Sequence, residues 1–128
     1  MKNAFPVVLT CRLNLKPRDI AEIGDFSLRF AQALTAGKVP FPQDVVTSLQ
    51  QIDGDIDTML KDILASINKG QGHLYIFKSN DELRQHHPEW PARGYSSGPF
   101  IGPHRIATYH AWKALKEKGR EPDVLFCP

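Results

Sequence analysis

The sequence predicts a single α+β domain over residues 1–128, or a small α/β one, with about three strands carrying packed helices in the order β-α-α-β-α-loop-α-β. Three observations predict it. Phe5, Val7, Leu9, Cys11, Leu13 and Leu15 alternate with their neighbours at period two, as a half-buried strand does. Val45, Leu49, Ile52, Ile56, Met59 and Ile63 recur at steps of three and four, the spacing of an amphipathic helix. The runs 73–77 and 123–127 are short and rich in branched and aromatic residues, as strands are.

Composition is compatible with a folded domain. Hydrophobic residues make up 41% and charged residues 23%, which excludes global disorder. The formal net charge of +2 is too small to name a partner. The start, Met1 to Thr10, is leader-like for a few residues, but Arg12 ends the apolar run and no small-residue cleavage site follows. No stretch approaches the ~20 apolar residues that a membrane span needs. Cys11 and Cys127 are then expected to be free thiols in a reducing, cytoplasmic setting.

Taken in order, the first strand spans 5–15 and places Cys11 on its apolar face as a packed small hydrophobe. Pro17 suits a helix start. Ile20, Ile23, Phe30, Ala31 and Leu34 predict one helix to about Ala36, interrupted in pattern at Ser27 and stopped by Gly37. The next helix, Gln43 to Lys69, is the main core helix, with a hinge expected at Gly54 because glycine costs ~1 kcal/mol inside a helix. Its near-heptad seam also suits a twofold homodimer contact over 43–68. Ser79 and Glu82 form a Ser-x-x-Glu capping box for a short helix that Pro88 halts. A helix from His104 to about Lys118 follows the irregular segment 88–103. The expected core is Leu49, Ile52, Ile56, Met59, Leu60 and Ile63 with Val7, Leu9 and Ile76.

Chemistry concentrates in 93–116. Asp53 to Asp57 fails as a calcium loop, because the sixth and twelfth positions hold Thr58 and Leu64, so these acids read as a solvated helix face. No H-E-x-x-H or Cys-x-x-Cys spacing exists, and adjacent His86 and His87 point to different sides of a helix, so no metal site and no cofactor is expected. Gly94, Ser96 and Gly98 carry the letters G-x-S-x-G without the strand-to-helix context of a nucleophile elbow.

Two patterns remain. Gly102 and Pro103 open a helix whose N-terminus would present N–H groups to an anion, with Arg93, Ser96, Ser97, Gly98, His104 and Arg105 as further donors. Arg105, Tyr109, Trp112 and Lys116 form a basic-aromatic stripe of the kind used on single-stranded nucleic acid. The expectation is a binding module that engages an anionic partner (a nucleic acid, a nucleotide or an acidic protein surface) through 93–116. The alternative is a small phosphate-ester hydrolase, nuclease-like, using His104 or His110 with Arg93 or Arg105.

Overall fold

The computed structural model describes residues 4–128; Met1–Asn3, where the leader-like start begins, lie outside the described residues. The observed order is α1 (Phe5–Arg12), α2 (Pro17–Gly24), α3 (Leu28–Thr35), α4 (Gln43–Asn68), β1 (Leu74–Ile76), α5 (Asn80–His86), α6 (Ile101–Glu117) and β2 (Val124–Phe126). Helices dominate. Among the described residues the only sheet has two strands, not three, and no helix is long and apolar enough to cross a membrane.

The expected N-terminal strand is helix α1. Its inward residues are Pro6, Leu9, Thr10 and Leu13, at helical steps of three, one and three. Two of these hide the period, because proline and threonine do not read as apolar. Thr10 satisfies its hydroxyl locally by donating to the Pro6 carbonyl at 2.8 Å, which lets it sit in the core. The outward face carries Phe5, Val8 and Cys11, so Cys11 is exposed rather than packed.

The single helix expected over 20–36 is two. Asp25 adopts a left-handed conformation (φ 56°) and ends α2, while Ser27 opens α3 by accepting from the Phe30 N–H at 3.2 Å. The interruption in the apolar pattern is thus an N-cap. Helix α4 runs unbroken through Gly54 for 26 residues, or ~39 Å at ~1.5 Å per residue. Gly54 lies on the exposed face with open space beside it, so no hinge forms there.

Leu9, Leu13, Ile20, Ile23, Leu34, Val45, Leu49, Ile52, Ile56 and Met59 build the main core, with α4 as its axis. Leu60, Ile63, Val7 and Ile76 are only partly buried. The seam proposed for a homodimer is spent inside the protomer, because α4 turns it onto α1, α2 and α6. Ile67, Leu74, Ala111 and Leu115 form a smaller cluster below the sheet. β1 and β2 pair in parallel, Leu74 opposite Val124 and Ile76 opposite Phe126. The chain crosses between them through α5 and α6, as parallel neighbours require. Ser79 caps α5 as expected, accepting from the Glu82 N–H at 3.2 Å.

Candidate functional site

The loop before α6 is fastened down by the residues expected to bind an anion. Arg93 forks onto Asp55 of α4, with Nε donating to Oδ2 at 2.9 Å and a terminal nitrogen donating to Oδ1 at 2.7 Å. The bonds to Asp55 raise the pKa of the guanidinium above its ordinary value. Asp55 is therefore a structural partner and not part of a solvated acidic face. Buried Ser96 accepts from the Arg93 N–H at 2.9 Å and donates to the Gly98 carbonyl at 3.1 Å. The Ser97 N–H donates to Glu22 at 2.9 Å. Gly98 lies against Arg84, whose Cγ a Cβ would meet at 2.6 Å. The Arg93 fork, the Ser96 hydroxyl and the Ser97 N–H are thereby engaged by the protein itself.

The start of α6 is closed as well. It begins at Ile101, earlier than the sequence suggests, so Gly102 lies within the helix rather than capping it. Gly102 packs directly on the Asn14 carbonyl, leaving no space for a Cβ. The Ile101 N–H donates to Asn80 Oδ1 at 2.8 Å, and Asn80 in turn donates to Asp19 at 3.2 Å. Asn80 thus takes the place of an external anion at this N–H.

Of the other expected residues, Arg105 donates to the Phe77 carbonyl at 2.8 Å at the end of β1. Tyr109 is 57% exposed and stacks at 6.3 Å on half-buried Trp112, over which Lys116 Nζ sits at 5.0 Å. His110 lies elsewhere, beside Arg12, Asp57 and Lys113. His104 and Arg105 adjoin at Phe77, whereas Arg93 is held on Asp55 and His110 lies beside Arg12 and Asp57.

His104 is the exception to this surface placement. It is 2% exposed, and its ring meets Phe77, Trp90 and His87 at 5.4, 5.5 and 6.1 Å between centroids. Its Nδ1 has no hydrogen-bond partner, an exceptional state for a buried polar atom. Burial, then the neighbouring charges of His87 and Arg105, push its pKa down to about 4, so the ring is neutral at pH 7. It forms part of the wall of a cleft of about 520 Å³ between the C-terminal half of α4, β1, α5 and α6. That volume lies in the range of small-molecule sites.

Further lining comes from Asp62 and Ile63 of α4, from Lys69 just beyond its end, from Tyr75 and Phe77, from His86 and His87, and from Glu89, Trp90 and Cys127. Trp90 is fixed by two contacts. Its indole N–H donates to Asp62 at 2.7 Å, and His87 stacks on it at 4.1 Å. His87 also reaches Glu89 at 2.8 Å.

Sequence reasoning missed His86, His87 and Trp90 because it placed both histidines on one helix. Pro88 carried the missing signal. Helix α5 stops at His86, and His87 leaves it with φ −132°, so both rings turn onto Phe77 at 5.2 and 5.7 Å. Among the described residues no group of three or more His, Cys, Asp or Glu side chains is arranged to hold a metal ion.

Buried His104 has a stability consequence. An unfolded imidazole titrates near 6.5. The folded ring, at about 4, binds no proton between these values while the unfolded chain does. Stability is thus fully present above about pH 6.5 and falls as pH drops toward 4, by about 3 kcal/mol in all. Urea unfolding at pH 7 and pH 4.5 checks this. His104→Phe should remove most of this fall, and an equal fall in the variant would assign it to other groups.

No protein-family model matches the chain, and no curated protein matches its sequence.

Proposed function

We propose that the protein is a binding module whose cleft takes an uncharged nucleobase or nucleoside. The observation that carries this reading is His104, 2% exposed, neutral and with an unpartnered ring nitrogen, in the wall of a cleft of about 520 Å³. A buried polar atom without a partner costs roughly 1–3 kcal/mol, which a ligand would recover by bonding to it once the side chains covering it shift. The unpartnered nitrogen of a neutral imidazole donates or accepts according to the tautomer, and a nucleobase edge offers a complement to either. Phe77, Trp90 and Ile63 supply the apolar wall, while Ser66 and Gln71 supply polar groups. The rim sets Asp62 and Glu89 against Lys69 alone, so a base or nucleoside suits it better than a phosphate.

Calorimetric titration with adenosine and with uridine tests the reading. At least one should bind saturably, and His104→Phe should weaken it about tenfold, which is about 1.4 kcal/mol. Absence of saturable binding with a Kd below about 1 mM for both would overturn it.

A second reading rests on the outer face of α6. There Tyr109, Trp112 and Lys116 form a stacked ladder with Lys113 nearby, in a segment whose cations Arg105, Lys113, Lys116, Lys118 and Arg120 face only Glu117 in sequence. Such a face suits an anionic strand. A short oligo-dT probe should then bind with strong salt dependence and lose affinity in Trp112→Ala, while adenosine binding stays unchanged in that variant. The hydrolase alternative needs His104 or His110 with Arg93 or Arg105; His104 and Arg105 adjoin at Phe77, but that histidine is 2% exposed.

A further inference from the structure

We propose that Cys127 and His86 form a nucleophilic pair in the wall of the cleft, able to capture a soft electrophile, an α,β-unsaturated carbonyl compound, as a thioether. Cys127 Sγ lies 3.7 Å from His86 Nε2 and 4.0 Å from Nδ1, within reach of a sulfur hydrogen bond. The two residues come from distant parts of the chain and are anchored separately. Cys127 follows β2, and its N–H donates to the Ile76 carbonyl at 2.9 Å. His86 ends α5 and packs its ring against Phe77 at 5.2 Å. Phe77 also touches His104, so the pair shares its aromatic support with the unpartnered imidazole of the same cleft. Cys127 is half-buried, which leaves its sulfur open to a small reagent.

The chemistry balances within the pair and the ligand. The thiolate is the attacking species of a cysteine. His86 takes the Sγ proton as sulfur attacks the β-carbon of the conjugated carbonyl compound. The C–S bond forms, and the C=C electron pair moves toward the carbonyl oxygen as an enolate. The proton held on His86 returns to the α-carbon. The product is the saturated thioether, and neither oxidant nor reductant is consumed. A cleft that accepts a planar base also accepts a planar conjugated carbonyl compound, so the ligand scope rests on the proposed binding role. The reactivity of the pair does not.

N-ethylmaleimide, itself a conjugated imide, tests the pair in the full chain. The rates at Cys127 and Cys11 are read by peptide mass spectrometry in the wild type and in His86→Phe, which keeps a ring against Phe77. Cys11 is exposed on α1 and serves as the internal reference. Exposure alone predicts that Cys11 reacts faster. The pair predicts that Cys127 reacts faster, and that His86→Phe slows it by about tenfold or more while Cys11 is unchanged. His86→Gln should give the same loss, which separates removal of the base from a disturbed packing at position 86. A Cys127 rate below that of Cys11 in the wild type, or one within about twofold of wild type in both variants, would overturn the proposal. Adding adenosine separates the two readings. Loss of rate in the variants without any adenosine protection or binding keeps the pair and sinks the nucleoside reading. Adenosine binding with no effect of the variants does the reverse.

Discussion

Arg84→Ala is expected to lower stability by about 3–5 kcal/mol, the scale of breaking a buried ion pair. Arg84 is a junction between three segments, and its side chain is only 13% exposed. Its Nε donates to the Pro99 carbonyl at 2.9 Å, and a terminal nitrogen donates to the Gly98 carbonyl at 3.2 Å. The same nitrogen lies 2.9 Å from Glu22 of α2, and the other terminal nitrogen donates to Glu22 at 3.3 Å. The guanidinium also lies 5.0 Å from the centre of the Phe100 ring. Alanine would strand two carbonyls, leave the Glu22 carboxylate with the Ser97 N–H alone, and uncover buried Phe100. Arg84→Lys keeps the charge but cannot fork, so it should recover about half of the loss. Urea unfolding measures both, and a loss below about 1 kcal/mol for Arg84→Ala would show that the loop is held without it.

Ile56→Ala should cost about 2–5 kcal/mol, since truncation of a core side chain loses its transfer energy and leaves a cavity. Ile56 is 2% exposed on α4, in the main core beside Met59 and Ile52. Alanine has the higher helix propensity, so none of the loss would come from the helix itself. Gln50→Ala, on the exposed face of the same helix, should change stability by under about 0.5 kcal/mol. Equal effects at the two positions would mean that α4 does not carry the core.

Much of the helical frame was legible because its signals are local. The stripe from Val45 to Met59, the Ser79 cap and the stop at Gly37 each need only a few neighbouring residues. Helix α1 was not legible, because Leu9 and Leu13 alternate with polar residues as a strand would, while the inward partners Pro6 and Thr10 carry no apolar label. The strand reading also lacked a test, since period two fits only where a partner strand exists. For the candidate site the sequence named residues but not their surroundings. His104 lies in the cleft wall as a buried ring, neutral at pH 7, and not at an open helix end beside an anion. Arg93, Ser97 and Gly98 are chemically suited to an anion, yet their partners Asp55, Glu22 and Arg84 lie up to 75 residues away and leave no trace in local pattern, while Ser96 is taken up by Arg93 and Gly98 within the loop. Cys127 and His86 meet for the same nonlocal reason, 41 residues apart.

The small parallel sheet has a consequence for how the molecule opens. β2 is exposed at all three of its residues, so peeling it from β1 uncovers little apolar surface. The amides that hold the pairing at its ends, Leu74 N–H on the Asp123 carbonyl and Cys127 N–H on the Ile76 carbonyl, are therefore expected to exchange faster than those of α4, as hydrogen exchange would measure. Cys127 rides on that segment. The cleft thus has one wall, His86, set on a helix and another, Cys127, carried by a strand that buries little surface of its own.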